Sequence, residues 1–520
     1  MADIILINPR FEASYWGLEH ALPVLGAKAV LPVACLPLLA ALTPGSHRVT
    51  IIDENIEKID FDRCARADIV GVTGMIVQRT RMKAILSALK QCGVLTVVGG
   101  PWVSVQEDYF GALADVVFVG EAEDTWSRFL AEWASGRHSR RYEQAERTDM
   151  STVPAPRFDL LRMSEYAFGS VQISRGCPFA CEFCDIIVVF GRRPRIKTST
   201  QVIAELDALL ALGKRDVFIV DDNLIGNKKA IKAVLKNLVA WQQAKGYPMS
   251  FFTEASLDLA DDAELMQLMV DVNIDTVFVG IETPNAAALR ETKKFQNVRS
   301  GGTMIEKVHR IQNAGMEVWS GMILGFDSDD ASIFEAQRRF IREARIVHAM
   351  VGMLAAIPRT PLHARLAAEG RLDRSDAPAF GTNVIPLRID RAALRDGYLA
   401  VLRDLHEPEA YFGRLDALYL DGRLNLQQTR RRYLRTHPIR RLALSLRLLG
   451  EALAIFARLM RHVPDAGLRR EYRHRLWRVV KRRREPLVLQ TYAIKCAMHH
   501  HVHTLVRQML GEGRRITNSF

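Results

Sequence analysis

Cysteine is scarce in this sequence, seven in 520 residues, and the number is odd. A secreted disulfide scaffold would be denser and even-numbered, so that class is excluded. Long apolar runs are missing too. The stretch 30–42 is interrupted by Pro32 and Pro37 and is too short to cross a bilayer. The start, Met1-Ala2-Asp3, runs straight into the apolar residues 4–7, without the basic region and longer apolar core of a secretory signal. The expected compartment is the cytoplasm. No G-x-G-x-x-G follows the first apolar run, which argues against a bound dinucleotide. Acidic residues are sparse in one place: residues 430–484 hold seventeen Arg and one Lys against Glu451, Asp465 and Glu471. The whole chain carries a net charge of +12, so the remainder sums to about −3 and the basicity is C-terminal.

What is present is an ordinary globular composition, 48% hydrophobic and 25% charged, in a chain long enough for two or three domains. Short Val/Ile-rich runs at 4–7, 49–52, 69–73, 96–100 and 116–120 alternate with helical patterns. That rhythm predicts an α/β domain with a parallel sheet covered on both faces. Several runs end in glycine or small-residue turns, where an α/β sheet binds its ligand. Residues 137–165 are polar and proline-containing and are expected to link this domain (1–136) to the next. A second array predicts strands near 171–174, 216–220, 250–255, 276–281, 317–324 and 350–357, with helical patterns between them. Six βα units over 166–386 imply a partial (β/α)6 barrel with its chemistry at the carboxyl ends of the strands. Residues 387–520 read as a helical, Arg-rich region.

Three of the cysteines fall within eight residues, Cys177-Pro-Phe-Ala-Cys181-Glu-Phe-Cys184, directly after the first barrel strand. A structural zinc site wants four protein ligands, and no fourth Cys or His lies nearby. Three thiolates on a four-iron, four-sulfur cluster leave one iron open for a small molecule. No residue is assigned a catalytic proton-transfer role.

With that motif and setting, the chain resembles the radical S-adenosylmethionine (SAM) superfamily. The resemblance implies that SAM chelates the open iron of a cluster held by Cys177, Cys181 and Cys184. Further strand-end segments match in order. Asp221, Asp222 and Asn223 end the second strand, where the family places groups for the SAM amino end. Glu254 and Ser256 lie on the third, and Glu282 ends the fourth at a position resembling those that bind the ribose. Gly321 and Gly325 bracket the fifth, like the glycines that admit the adenine.

An α/β domain ahead of such a barrel is similar to the cobalamin-binding class, and to the subgroup with the hopanoid C-2 methylases. A Rossmann-like cobalamin-binding domain is thereby implied, with Thr73, Gly74, Met75, Gly99, Gly100, Trp102 and Gly120 lining the corrin site. The D-x-H-x-x-G loop that ligates cobalt through histidine elsewhere is absent, so a lower axial histidine is not expected. The implied activity is methyl transfer to an unactivated carbon of a small molecule, a lipid such as a hopanoid being one. Cyclisation, rearrangement and methylthiolation are the alternatives. The resemblance also implies an electron donor such as flavodoxin or ferredoxin, and nucleic acid is not an expected partner.

Three further features have two readings each. Within 440–461, Arg440, Arg447, Glu451 and Arg458 share one stripe on a mostly apolar helix, which either packs into a core or lies on a membrane surface. Cys496, His499 and His503 share a helix face, as a metal site or a polar face. Arg192, Arg193, Arg195 and Lys197 either screen an anionic ligand or form a solvated loop.

Overall fold

A computed structural model describes residues 1–299, 301–511 and 518. The first sheet has strands β1 (Asp3–Asn8), β2 (Arg48–Asp53), β3 (Ile69–Thr73), β4 (Leu95–Gly99), β5 (Val116–Val119) and β6 (Arg141–Glu143), in the order β2-β1-β3-β4-β5-β6. All its pairings are parallel. Near-continuous Val/Ile sequences form β1, β3 and β5 because helices cover both faces. The sixth strand lies in the stretch expected to be a linker. Its polar sequence hid it: as an edge strand it buries only Tyr142, stacked on Phe118 with ring centroids 5.1 Å apart.

The second sheet begins with β7 (Gly169–Val171). A separate antiparallel hairpin follows, β8 (Ser174–Arg175) with β9 (Arg195–Ile196). Next come β10 (Asp216–Ile219), β11 (Ser250–Ala255), β12 (Ile274–Glu282), β13 (Glu317–Leu324) and β14 (Ala349–Met353). The parallel order β14-β13-β12-β11-β10-β7 is an open six-stranded barrel. Helices between the strands carry local start signals: Thr198 and Thr303 each form a capping box with the Gln or Glu three residues on.

Beyond the barrel the chain is helical. The last long helix, Pro486–Met509, is buried along most of its length and packs against the helices Arg391–His406, Pro438–His462 and Ala466–Arg482. Its Lys495 ammonium lies 2.7 Å from the Glu317 carboxylate at the start of β13, and Tyr419 donates to the same carboxylate at 2.6 Å. The helical unit therefore closes the amino-terminal end of the barrel and leaves the carboxyl end for chemistry. No described helix is long and apolar enough to cross a membrane.

Candidate active site

The cysteine loop hangs from the hairpin, and two aspartates fix its approach. Asp221 accepts from the Ile173 and Ser174 amides at 2.7 and 2.8 Å and from the Ser174 hydroxyl at 2.6 Å. Asp222 accepts from the Gly176 amide at 2.8 Å. Both carboxylates, which the resemblance assigns to the amino end of SAM, hold the backbone that leads into Cys177. Burial raises Asp221 to about 7, against the pull of these hydrogen bonds, and Asp222 to about 6.

The thiols are free, with Cys181 buried and Cys177 and Cys184 half-buried. Two accept side-chain hydrogen bonds at sulfur. Asn223 Nδ2 lies 3.7 Å from Cys177 Sγ, and Gln296 Nε2 lies 3.6 Å from Cys181 Sγ. Burial pushes the Cys177 thiol up and the Cys184 thiol well up, so loss of their protons requires a metal or nearby cations. Among the described residues no three His, Cys, Asp or Glu side chains converge on a point suited to one metal ion. A cluster of several irons sets its thiolates farther apart than the ligands of a single ion, and donors to sulfur suit it.

Asn223 also exchanges hydrogen bonds with Ser256, donating to its hydroxyl at 3.1 Å and accepting from its amide at 3.2 Å. That exchange ties the second and third strand ends together. Glu254 faces the barrel interior. Burial, together with Asp222 and Asp221, raises its carboxyl to about 8. Among the described residues no cation pairs with it directly, and Lys294 acts on it only through space, so the site fits an incoming ammonium group.

Glu282 ends β12 in a left-handed conformation, φ 65°, at a break in the register with β13. Its carboxylate turns back to Lys294 Nζ at 2.6 Å. Gly280 makes room for this pair: a Cβ there would lie 2.3 Å from Glu282 Oε1 and 2.7 Å from Lys294 Nζ. Although burial works against its charge, Glu282 and Cys181 keep Lys294 protonated. Sequence reading missed Lys294 and Gln296, which follow Glu282 without a motif of their own and meet the cysteines only through the fold. Gly325, with φ 97°, donates its amide to Asp329 at 3.0 Å.

The ends of β3, β4 and β5 meet the same mouth. Gly100 has φ 99°, and a Cβ on it would come within 2.3 Å of Thr73 Oγ1 and 3.1 Å of the Gly74 amide nitrogen. Ser104 donates to the Gly100 carbonyl and accepts from the Gly120 amide, each at 2.9 Å. Trp102 buries its indole Nε1 without a hydrogen-bond partner, while Met75 and Val77 stand exposed above the strand ends. An orphaned donor, exposed apolar side chains and a close-packed glycine turn fit a large ring lying across the strand ends.

The two mouths are locked together. Glu121, just past β5, is ion-paired to Arg175 and Arg195, each at 2.9 Å, and Glu123 lies 2.5 Å from Arg175. Arg195 also donates to the Thr148 and Phe190 carbonyls. Lys197 forms a buried pair with Glu205 at 2.5 Å. Neither reading of the basic loop holds for these two, which hold domains and hairpin in place. Arg192 reaches the Pro178 carbonyl, and Arg193 is exposed.

The barrel interior is aromatic. Phe252 of β11 stacks on Phe218 of β10 at 4.7 Å and touches Phe168 at 5.1 Å and Trp319 at 6.3 Å. The contacts with Phe168 and Trp319 each skip a strand, which happens only on the concave side of a curved sheet. From the first domain, Trp16 reaches Phe278 of β12 at 5.3 Å and is still 43% exposed. All five barrel aromatics are half-buried.

The histidine run is structural. His499 lies 2.7 Å from the Tyr472 hydroxyl and 3.0 Å from the His406 carbonyl, and His501 lies 2.9 Å from the Ser14 carbonyl. Cys496 is wholly buried, so the face expected to be either metal-binding or polar is part of a core.

Family models match three consecutive stretches: the B12 binding domain over residues 27–130, the radical SAM superfamily over 171–339, and a domain of unknown function, DUF4070, over 360–514. An uncharacterized methyltransferase of Synechocystis sp. is 37% identical over 522 residues, 98% of this chain and 94% of its own. The hopanoid C-2 methylase of Rhodopseudomonas palustris is 36% identical over 423 residues, 79% of this chain and 78% of its own. In fold, the chain is similar to the cobalamin-dependent radical enzyme OxsB (TM-score 0.61, 14% identity, 95% and 83% of the two chains). It is also similar to the methyltransferase TsrM of Kitasatospora setae (TM-score 0.58, 16% identity, 73% and 77%).

Proposed function

This chain belongs to the cobalamin-binding radical SAM methyltransferases, and from that premise we propose which of its residues serve the reaction and what receives the methyl group. Its cofactors are a four-iron, four-sulfur cluster, SAM and cobalamin. When bound, they supply hydrogen-atom abstraction from an unactivated carbon and a methyl group to put in its place.

In this reading Cys177, Cys181 and Cys184 hold three irons, with Asn223 and Gln296 donating to two of the sulfurs. Asp221 and Asp222 act one step removed, by fixing the loop. Glu254 receives the SAM ammonium. Glu282, steadied by Lys294, borders the nucleoside with Ser256 and the backbone at Gly321 and Gly325. Thr73, Gly74, Met75, Gly99, Gly100, Trp102 and Gly120 border the corrin, and the Glu121–Arg175 pair keeps that face opposite the cluster. The working units are residues 1–143, which include β6 of the first sheet, 166–386 and 387–520, with 144–165 between the first two.

The acceptor is a small molecule with an apolar skeleton, a hopanoid-like lipid. The 36% identity over 423 residues to the hopanoid C-2 methylase carries this assignment, and Trp16, 43% exposed beside Phe278, adds an apolar surface suited to hydrocarbon. Flavodoxin or ferredoxin supplies the electron, and the C-terminal basic helices make peripheral contact with a membrane. The test is anaerobic reconstitution with cobalamin, reductant and methyl-labelled SAM, offering hopanoid lipid. Expected are 5′-deoxyadenosine and a labelled methyl group on the lipid. Deoxyadenosine with an unlabelled, cyclised or rearranged product would overturn methyl transfer.

A further inference from the structure

The helix Pro438–His462 is amphipathic the wrong way round. Its buried contacts are Leu448, Ala452, Ile455 and Leu459. Its exposed side is also apolar: Ile439 is 83% exposed, Leu442 and Leu446 61%, Leu453 57% and Leu449 39%. These five recur at alternating steps of three and four, so at 100° per residue they fill an arc of about 80°. The helix's own charges lie off that arc. Arg447 pairs with Glu451, Glu451 accepts from Gln490, and Arg458 reaches the carbonyls of Val24 and Leu25. Of the polar stripe read in the sequence, Arg447 and Arg458 are half-buried against the protein while Arg440 and Glu451 stay exposed, and a row of large aliphatic side chains faces out on another side.

Solvent-exposed rows of this length mark an interaction surface. Two occupants suit the spacing, a second copy through a heptad seam and a lipid surface, and the charge favours the second. Exposed Arg440 and Arg441 stand at one end of the row and Arg461 at the other, and Arg470 and Arg473 are exposed on the next helix. Residues 430–484 carry a surplus of fifteen positive charges. Two copies meeting here would bring these surpluses together, whereas an anionic bilayer would neutralise them.

We propose that the row Ile439, Leu442, Leu446, Leu449 and Leu453 is a docking face for an anionic membrane surface. On it the helix lies in the interface plane, with its aliphatic side chains among the acyl chains and the flanking arginines at the headgroups. The proposal rests on the membrane contact named above and specifies its surface.

The experiment is flotation of the full-length holoenzyme with phosphatidylglycerol–phosphatidylcholine vesicles and with pure phosphatidylcholine vesicles, beside sedimentation analysis without lipid. Expected is flotation with the anionic vesicles, weakened at least tenfold without phosphatidylglycerol. The triple variant Leu442→Gln, Leu446→Gln, Leu449→Gln should lose flotation while keeping its melting temperature and its 5′-deoxyadenosine formation on SAM. Absence of wild-type flotation would overturn the proposal, as would full flotation of the triple variant. A lipid-free dimer that the triple variant dissolves would overturn it in favour of a second copy. Methyl transfer to detergent-dispersed lipid is scored separately, so failure of the substrate assignment leaves a result on the docking face readable, and the reverse.

Discussion

Glu121 and Arg175 form an ion pair of 2.9 Å across the junction of the two sheets, with both side chains almost fully removed from solvent. Glu121 follows the end of β5, and Arg175 stands two residues before Cys177. One contact therefore fixes the corrin-side strand ends relative to the cysteine loop.

Glu121→Ala leaves Arg175 with Glu123 and Gln172, and Arg195 with the Thr148 and Phe190 carbonyls. Removing one partner of a buried pair costs about 3–5 kcal/mol, which thermal or denaturant unfolding will show. Methyl transfer is expected to fall further than 5′-deoxyadenosine formation, because the loss acts on the alignment of two sites. Equal loss of both would refute that division.

Replacing Cys177, Cys181 or Cys184 singly by Ala removes one of three iron ligands. Iron and sulfide content and the visible absorption of the reconstituted protein should collapse, and 5′-deoxyadenosine formation with them. Gln296→Leu should instead keep the cluster and shift its reduction potential, since it removes only a donor to Cys181 sulfur.

Gly100→Ala combines a positive φ with a Cβ at 2.3 Å from Thr73 Oγ1. Such strain costs on the order of 1–3 kcal/mol, and it falls on the turn assigned to the corrin. Corrin content after reconstitution is expected to drop at least tenfold, with the iron content unchanged.

The carboxyl of Glu254, raised to about 8, gives two pH effects of known sign. Between the ordinary carboxyl range and pH 8 the folded protein holds a proton that the unfolded chain has released, so this group lowers stability as pH rises through that window. Glu254→Gln removes the effect and should raise the melting temperature of the ligand-free protein at pH 8.5 relative to pH 6. SAM binding should behave oppositely: in the wild type it should weaken below about pH 8, with proton release on binding measurable by calorimetry in two buffers. The variant should bind SAM weakly at every pH.

Burial depresses His499 to about 3 and His500 and His501 to about 4. Below the ordinary histidine range the unfolded chain gains protons that the folded core refuses, so stability should fall as pH drops from about 6.5 to about 4. His501→Asn, which keeps a donor for the Ser14 carbonyl, should flatten that slope in pH-dependent unfolding.

The sequence by itself determined the chemistry-bearing core. The spacing of Cys177, Cys181 and Cys184, its place after the first strand of a six-unit βα array, and the preceding parallel domain are all local signals. Hydrophobic period and turn chemistry are written within a few residues of where they act, and the array appears where they put it. Strand β6 escaped because an edge strand with one buried residue has no period to detect.

Only the tertiary structure decided how side chains distant in sequence divide the work. The family resemblance assigned Asp221 and Asp222 to the amino end of SAM, and only the fold shows that they also hold the amides of residues 173, 174 and 176. Arg195 and Lys197 were readable either as a screen for an anionic ligand or as a solvated loop, and each found a buried carboxylate. The helix Pro438–His462 shows the reason most plainly. Its sequence specifies which residues share a face, but a face turns inward only when a neighbour such as the helix Pro486–Met509 covers it, and the neighbour is chosen by packing across the whole fold.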